Sequence, residues 1–578
     1  MNSILQVFFY SVISGLILSL AIPNELFLLG NPLLSFVAII PFYLAIKKCK
    51  NFKTAFWCGF IQTITTHLIS SYWLAFFKDF AIFTLGGSAL ATAIIGGYFS
   101  TLAFLPFSLT NKSLLLENKT CKKIYQTTTF KIFYFVAIYV FYEYVKSSGF
   151  LGYPWGTVSS TMYKFPLLMQ IASITGTYGI TFLTVFTNVI FVEIASFIIK
   201  NKEYPSHIKQ HHFYELKYTT LFFVSIFCIS LIYGSIEYYK PRTPQKSLRS
   251  LLVQPNINSW TNIDDKANIF KLQEMTKNEY FSDENIFNKP QLIVWSEGAL
   301  LHPFPAWLKT YEDYPSQAPL IPFIKELNIP LLTGGTFTDV IEKDDGSLYT
   351  NHYNSTLLFS ENGELKGNYA KIHLVPFAEY IPGLDNPFIY KVLKSIADFS
   401  DGWARGTKLV YFDLIGSSLL SKENVLVQNV DVSSKTLNEN EVRVRISTPI
   451  CFDDAFTDTM RPLFLHGSEA FFNVSDDSWS HTRSSEYQHF VIASYRAIEY
   501  RTTLVRTTNA GYTVVLDPAG KILADLPLFE EHTLTYDVPI YERKMTCYAF
   551  WGNWLPVLCI IFFIFTCALI IKQKNSQE

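Results

Sequence analysis

The segment RVRISTPICFDDAF, Arg443 to Phe456, runs from an alternating strand pattern into a cysteine followed by two acids. Val, Ile and Thr alternate with polar residues here, as they do in a half-buried strand. The next residues, AFTDTMRPLFLHG (455–467), have helical spacing. Strands interleaved with helices build layered α/β folds, whose functional groups collect where strands end. The segment therefore predicts the fold class and a candidate site at Cys451.

Strands and helices alternate through the polar part of the chain on both sides of this segment. Strands are predicted at 248–254, 291–297, 329–335, 355–360, 442–448, 469–475, 502–509, 512–518 and 521–527, and a second helix at 486–501. Residues 415–440 are polar and lack periodicity, which predicts an inserted loop. Together these patterns predict one α/β domain over residues 247–540.

Long apolar segments flank this domain. Hydrophobic residues make up 49% of the 578 residues and charged residues only 16%, against roughly 25% charged in soluble domains. A membrane span needs about 20 mostly apolar residues. Eight spans are predicted, at 4–23, 28–46, 54–77, 80–109, 132–150, 179–199, 219–238 and 549–571. The chain thus divides into a seven-span domain (1–240), the α/β domain (247–540), and a C-terminal transmembrane helix with its tail (546–578).

The basic loops predict the orientation of the chain in the membrane. Loops 47–53, 111–131 and 200–217 and the C-terminal tail are rich in Lys and fall on one side of eight spans. Because basic loops stay in the cytoplasm, we expect both termini to be cytoplasmic. The α/β domain is then extracytoplasmic, on the periplasmic face of the inner membrane in a Gram-negative host. The net charge of −1 gives no reason to expect nucleic acid as a partner.

Cys451 lies alone inside the polar domain, while the other cysteines lie in or near apolar segments or in Lys-rich loops. No pair of cysteines has metal-site spacing, so neither a metal nor another cofactor is predicted. The position of Cys451 between strand and helix would bring its sulfur near a helix N-terminus, which stabilises a thiolate. The alternative is an inert core cysteine.

Two other ionisable residues have a suggestive setting. Glu297 closes the strand pattern LIVWSEG, although an acid there is often only a helix cap. Lys371 lies among apolar residues in NYAKIHLVPFAEYIP, where a charge is costly unless it is paired. Its alternative is an aliphatic stem with an exposed head. With Cys451 they provide a base, a cationic stabiliser and a nucleophile, the set that acyl transfer through a thiol needs.

At these residues the chain resembles the apolipoprotein N-acyltransferases, polytopic membrane enzymes with a nitrilase-superfamily domain. The matching stretches are GYPWG (152–156), VQPNI (253–257), IVWSEGAL (293–300), YAKIHLVPFAEYIP (369–382), ISTPICFDDAF (446–456), NVSDDSW (473–479) and the run 488–522. The resemblance implies an αββα sandwich for the domain, an eight-span topology, and a catalytic triad of Glu297, Lys371 and Cys451.

The resemblance also implies supporting residues. Glu379 in PFAEY matches the family's second acid, and Trp260 matches its tryptophan after the QPNI strand. Phe452 and Asp453 stand where the family usually has an aromatic residue, often Tyr, and Glu. Trp155 belongs either to an interfacial aromatic belt or to the wall of a lipid-facing site.

The implied activity is transfer of a fatty acyl chain from a membrane phospholipid to the N-terminal amine of diacylglyceryl-cysteine in apolipoproteins. It would proceed by a ping-pong mechanism through a thioester on Cys451. The implied partners are the phospholipid donor, the apolipoprotein acceptor and the bilayer, with the chain acting as a monomer. Residues 386–399 predict an amphipathic helix that either touches the bilayer or packs on the sandwich.

Two other functions remain open. A membrane-anchored amidase or nitrilase would use the same triad on C–N bonds, although one span would suffice as its anchor. A non-catalytic lipid- or lipoprotein-binding homologue is suggested by Phe452, Asp453 and Asp476, where the chain departs from the family pattern. A transporter is disfavoured because charged residues are sparse in the predicted spans.

Overall fold

The structure is a computed structural model that describes residues 3–77, 81–111, 127–149, 151–200, 206–258, 264–342, 346–381, 391, 402–419 and 440–575. Trp260 lies outside the described residues. So do most of the predicted amphipathic helix at 386–399 and most of the loop predicted at 415–440.

The strands of the α/β domain join one continuous hydrogen-bonded sheet. In the described ranges they are β1 (Lys246–Gln254), β2 (Leu292–Trp295), β3 (Leu300–Phe304), β4 (Leu331–Glu342), β5 (Leu348–Phe359), β6 (Leu365–Ala370), β7 (Phe412–Ser418), β8 (Glu441–Ser447), β9 (Ala470–Ser475), β10 (Thr503–Thr508), β11 (Val514–Leu516), β12 (Ile522–Asp525) and β13 (His532–Ile540). Their order is β12-β11-β10-β9-β8-β7-β1-β2-β4-β5-β6, with β13 paired to β1 and β3 to β4.

The sheet divides into two layers between β7 and β1, where few backbone hydrogen bonds connect its halves. Strand β7 pairs with β1 over only two residue pairs, and β1 packs against β8 and β10 of the other half. Alternate residues of each strand face opposite sides, as the pleat requires. Leu252 and Val294 face the core shared with the other layer, whereas Val253 and Trp295 face a second core under the outer helices. The predicted α/β sandwich is confirmed.

Helices cover both outer faces of the sandwich. They are Asp265–Tyr280, Asp283–Ile286 and Leu320–Leu327 on one half, and Thr457–Leu465 and Arg483–Tyr500 on the other, with 3-10 turns at Thr310–Glu312 and Cys451–Ala455. The sequence pattern did not predict β3, β6, β7 or β13. The predicted start of the loop at residue 415 is wrong, because residues 415–418 belong to β7 and residues 415–417 pair with β8.

The apolar part of the chain folds into helices near the predicted spans. They are Ser3–Ala21, Pro32–Ala38, Ile40–Lys48, Phe52–Ser70, Ser88–Asn111, Thr128–Ser147, Thr177–Lys200, Ser206–Tyr239 and Trp554–Asn575, with shorter helices at Tyr72–Phe76, Ile82–Gly87, Ser159–Met162, Pro166–Met169, Ala172–Thr175 and Cys547–Trp551. Among the described residues, five segments are long and apolar enough to cross a membrane: Ile4–Ala21, Ile82–Leu109, Thr177–Ile199, Gln210–Tyr239 and Trp554–Ile571.

The other three predicted spans differ from a simple apolar helix. The span predicted at 28–46 consists of two short helices that meet at Ile39, followed by Pro41, whose missing N–H interrupts helical bonding. The helix Phe52–Ser70 buries polar side chains, including Gln62 and His67. The helix Thr128–Ser147, at the span predicted for 132–150, buries the charged residues Glu143 and Lys146. The count of eight spans therefore stays a prediction.

Charged side chains are also less rare in these helices than the sequence suggested. Glu143, Lys146 and Glu193 are all buried. Glu143 accepts hydrogen bonds from the Val158 N–H at 2.6 Å and the Thr181 hydroxyl at 2.5 Å. These charges hold neighbouring segments together, which explains their presence without a transport pathway.

Candidate active site

The ammonium group of Lys371 lies between two carboxylates. Lys371 directly follows β6, Glu297 follows β2, and Glu379 lies in the loop after Lys371. Lys371 Nζ is 3.2 Å from Glu297 Oε1 and 2.8 Å from Glu379 Oε1. The lysine side chain is only 1% exposed. This double pairing satisfies the requirement that a buried charge have partners.

Other groups hold the two carboxylates in place. Asn354 Nδ2, from β5, donates to Glu297 Oε1 at 2.7 Å and to Glu379 Oε1 at 3.1 Å. The Val375 N–H donates to Glu379 Oε2, and the Asp476 N–H donates to Glu297 Oε2, each at 2.8 Å. The sequence analysis missed Asn354 as a member of the site.

Burial and charge pairing set the protonation of this group. Burial alone would lower the pKa of Lys371, but the Glu297 and Glu379 carboxylates outweigh it and raise the pKa well above its ordinary value. Burial raises the pKa of Glu297, against the opposing effect of Lys371. Lys371 is therefore a permanent cation, and Glu297 is a carboxylate with increased proton affinity, which suits a general base.

Cys451 begins the one-turn 3-10 helix Cys451–Ala455, which follows β8 after a three-residue connection. Its φ of +44° lies in the left-handed region, which is sparsely populated by residues with a Cβ and is often found at functional sites. Its carbonyl accepts a hydrogen bond from Asn473 Nδ2 at 3.2 Å. Its sulfur lies 3.9 Å from Asp477 Oδ1. The residue is 9% exposed.

Electrostatics keep the Cys451 thiol protonated at rest. Burial raises its pKa, Glu297 raises it further, and Lys371 opposes both. A position near a helix N-terminus predicted the opposite, a stabilised thiolate. The cost of burying a thiolate outweighs that effect. The Asp476 N–H donates to Glu297, and the sulfur of Cys451 lies 3.9 Å from the next residue, Asp477, so Glu297 and Cys451 face the same turn after β9.

Asp453 connects the cysteine segment to the lysine segment. Its Oδ1 accepts from the His373 N–H at 2.7 Å, and its Oδ2 accepts from the Tyr369 hydroxyl at 2.8 Å and the Ile450 N–H at 3.1 Å. Burial raises the pKa of Asp453 to about 7 even though these donors oppose the shift. Although Asp453 is shorter than the Glu usual at this position, both of its carboxylate oxygens accept hydrogen bonds.

Phe452 connects the site to the apolar helices. Its ring stacks on Trp155, with centroids 5.2 Å apart and planes 11° apart. Trp155 is 5% exposed, and its carbonyl accepts a hydrogen bond from Lys146 Nζ at 2.8 Å. Trp155 therefore lies between the two halves of the chain, against the residue that follows Cys451.

A second charged cluster, also missed by the sequence analysis, lies behind Cys451. It comprises Asp454, Asp477, His489 and Arg506, all of them buried. Asp477 follows β9 as Glu297 follows β2, so the strand-end rule that selected Glu297 could also have selected Asp477. No pattern in the sequence indicated the other three.

The atoms of Cys451, Asp477 and His489 that could bind a metal lie within 4.8 Å of one another. Both ring nitrogens of His489, however, already bond to carboxylates. Arg506 already supplies positive charge, with Nη2 at 3.6 Å from Asp477. A metal ion would have to displace these bonds, so the group does not fit a metal centre.

A small cavity of about 70 Å³ opens beside Glu297. Its lining includes the side chains of Glu297, Asp476, Asn509, Ile257 and Leu301. The cavity combines apolar walls with the polar groups of Glu297, Asp476 and Asn509, as small binding sites do. Lys371 and Cys451 are not among its lining residues.

The protonation of His489 predicts a pH-dependent stability. Burial and Arg506 would lower the pKa of His489, but Asp477 and Asp454 outweigh them and raise it to about 9. In the unfolded chain the pKa is about 6.5. The resulting stabilisation, roughly 3 kcal/mol, is complete below pH 6.5 and is lost as the pH rises through 9.

We therefore expect the unfolding temperature of the detergent-solubilised protein to fall between pH 6.5 and 9. In His489→Gln this decline should be absent. Thermal unfolding measured at several pH values checks both statements. A variant with the same decline as the wild type would contradict the assignment to His489.

Comparison with known proteins agrees with this fold. Residues 252–544 match the model of the carbon-nitrogen hydrolase family, and residues 14–190 match the apolipoprotein N-acyltransferase N-terminal domain. The chain is thus a nitrilase-like enzyme domain joined to a multi-pass membrane domain.

The relatives identify the family. The chain is 35% identical to apolipoprotein N-acyltransferase 2 of Treponema denticola, covering 99% of this chain and 98% of the relative. It is 30% identical to apolipoprotein N-acyltransferase 2 of Treponema pallidum, covering 96% and 93%. It is 28% identical to apolipoprotein N-acyltransferase of Borreliella burgdorferi, covering 99% and 97%. The chain belongs to the apolipoprotein N-acyltransferase family.

Proposed function

We propose that the protein transfers a fatty acyl chain from a membrane phospholipid to the N-terminal amine of diacylglyceryl-cysteine in apolipoproteins. The observation that carries the proposal is the Lys371 ammonium, buried between Glu297 and Glu379 and acting on the Cys451 thiol. This combination supplies a nucleophile, a base and a fixed positive charge at one point. The names of the relatives supply the substrate class.

In the first half-reaction, Glu297 accepts the proton of the Cys451 thiol. The sulfur attacks an ester carbonyl of the phospholipid, a C–S bond forms, and the acyl C–O bond breaks. Glu297 returns its proton to the departing glycerol oxygen, which releases a lysophospholipid. Of the three Lys371 protons, two face Glu297 and Glu379, so the third is available to the oxyanion.

In the second half-reaction, the neutral α-amine of the apolipoprotein attacks the thioester carbonyl. An N–C bond forms, the C–S bond breaks, and Glu297 takes a proton from the amine and delivers it to the sulfur. The products are an amide and the resting thiol. The lysophospholipid leaves before the amine reacts, and the acyl chain stays on Cys451 between the two half-reactions, so the kinetics are ping-pong.

We assign roles to the supporting residues Glu379, Asp453, Phe452 and Trp155 from the contacts that they make. Glu379 shares the charge of Lys371 and keeps its ammonium in position. Asp453 ties the nucleophile segment to the lysine segment. Phe452 and Trp155 form an aromatic contact through which the apolar helices support the cysteine. Trp260 remains a predicted substrate contact outside the described residues.

The contacts of Phe452 and Asp453 count against a non-catalytic homologue. Both side chains are buried and make specific contacts within the site. A decayed site would have no reason to retain the buried Lys371 between two acids, which is costly unless fully paired.

The proposed orientation follows from the basic loops of the sequence. Both termini lie in the cytoplasm, and the domain at 247–540 lies on the extracytoplasmic face between the seven-span domain (1–240) and the C-terminal helix (546–578). The enzyme acts as a monomer, because one chain carries all the proposed groups. Both substrates are lipids, which accounts for the size of the membrane domain.

The direct test uses purified protein, phospholipid with isotope-labelled acyl chains, and a synthetic diacylglyceryl-cysteine peptide. We expect mass spectrometry to find the label in an amide at the peptide N-terminus. The matched peptide with an acetylated amine should remain unlabelled. An unmodified acceptor together with ammonia release from small amides would favour the amidase alternative.

A further inference from the structure

The cluster behind Cys451 contacts the nucleophile directly through Asp477. Asp477 Oδ1 is 3.9 Å from the Cys451 sulfur, within reach of its S–H. Both Asp477 oxygens are 3.1 Å from His489 Nδ1, and Asp477 Oδ2 also accepts from the Ser475 hydroxyl at 3.1 Å. The carboxylate that faces the sulfur is therefore held from its other side.

The cluster continues from His489 to a second carboxylate. His489 Nε2 is 3.0 Å from Asp454 Oδ1, and Asp454 Oδ2 also accepts from Arg506 Nη1. With His489 protonated, two carboxylates face one imidazolium and one guanidinium. The four buried side chains then carry no net charge, which is the condition for burying them together.

We propose that Asp477, oriented by His489, anchors the Cys451 thiol and sets its protonation, as a positioning pair for the acyl transfer proposed above. The S–H donates to Asp477 in the resting enzyme, which fixes the sulfur until Glu297 removes the proton. The role in acyl transfer rests on the proposed function. The contacts among Cys451, Asp477 and His489 do not depend on which substrate is bound.

The two acids near the sulfur have different tasks because their surroundings differ. Burial alone would raise the pKa of Asp477, but His489 and Arg506 lower it to about 2. Glu297 has a raised pKa instead. A carboxylate that stays ionised is a poor proton carrier and a good fixed acceptor. Asp477 is therefore the anchor, and Glu297 is the base.

Other charged groups act on the same atoms and must stay constant in a test. Glu297, Lys371 and Glu379 act on the Cys451 thiol. Asp476 and Glu486 lie near Asp477, and burial raises the pKa of Glu486 well above its ordinary value. All of these residues are kept as in the wild type in the Asp477 and His489 variants.

The test measures the alkylation of Cys451 by iodoacetamide as a function of pH, in detergent and without lipid, with peptide mass spectrometry as the readout. Asp477→Asn removes a negative charge beside the thiol, so we expect the midpoint to fall by about one pH unit. His489→Gln removes a positive charge and leaves Asp477 less compensated, so we expect the midpoint to rise by a similar amount. The two shifts have opposite signs, which general loosening of the fold would not produce.

Acyl transfer should fall about 10-fold or more in both variants, because loss of the anchor leaves the reacting sulfur less precisely positioned. In Asp477→Asn one carboxylate oxygen becomes an NH₂ group, which cannot accept a hydrogen bond from the thiol, His489 or Ser475. Glu499→Gln is the matched control, because Glu499 is a buried, paired acid on the same helix as His489. We expect its alkylation midpoint to match the wild type.

Unchanged midpoints in Asp477→Asn and His489→Gln, or shifts of the same sign in these two variants and in Glu499→Gln, would overturn the inference. Because the alkylation assay contains no lipid, it tests the anchor even if the acyl transfer assay fails for the wild type. Failure of acyl transfer with opposite alkylation shifts would reject the proposed function and retain the anchored thiol.

Discussion

Cys451→Ala is expected to reduce acyl transfer by at least about 10³-fold, because the variant lacks the sulfur that we propose holds the acyl chain between substrates. The side chain is small and buried, and the backbone at φ +44° is held by Asn473. Folding should therefore survive the change. The measurement is the initial rate of labelled amide formation with the synthetic acceptor peptide.

The matched control is Cys547→Ala, which replaces an exposed cysteine at the start of the short helix Cys547–Trp551, beyond the α/β domain. It should transfer acyl chains at the wild-type rate. Equal activity of Cys451→Ala and Cys547→Ala would show that the acyl chain passes directly from phospholipid to amine, without a covalent enzyme intermediate.

Lys371→Met is expected to lower acyl transfer by about 10² to 10³-fold, the effect of removing an oxyanion donor. It should also lower stability, because Glu297 and Glu379 would share a buried space without a cation. Breaking a buried ion pair in this way costs about 3–5 kcal/mol. The measurements are the rate of transfer and the thermal unfolding of the same preparation.

The double variant Lys371→Met/Glu379→Gln separates these two effects. Removing one carboxylate relieves the repulsion, so the unfolding temperature should recover toward the wild type. Activity should not recover, because the positive charge is still missing. Recovery of both would mean that Lys371 serves stability alone.

The sequence predicted the site best where residues follow strands. Glu297 and Cys451 were selected at the ends of strand patterns, whereas Lys371 was selected because its charge lies among apolar residues. In the structure Lys371 follows β6, a strand that the sequence pattern did not predict. Asn354 was missed because it lies inside β5, where nothing in its local pattern indicates a function. It reaches the site through strand register: β5 pairs with β6, and the Lys371 N–H donates to the Asn354 carbonyl at 2.8 Å. Register of this kind is not visible in one sequence.

The departures from the family pattern also needed the structure. Sequence alone shows that Asp453 is one methylene shorter than the usual Glu, but it does not show what the acid binds. The three donors from His373, Tyr369 and Ile450 come from separated parts of the chain. In the membrane half, hydropathy located the helices but did not reveal the break at Ile39 or the buried Glu143 and Lys146. Those features depend on contacts between helices.

The central claim is that Cys451 carries the acyl chain, and a pulse-chase measurement by mass spectrometry tests it most directly. Wild-type protein is incubated with labelled phospholipid without acceptor, digested, and analysed for an acyl group on the Cys451 peptide. Acceptor peptide is then added. We predict that the adduct forms on Cys451 and disappears at the rate at which labelled amide appears. Amide formation during turnover with no adduct on Cys451, or an adduct that persists after the acceptor is added, would contradict the account.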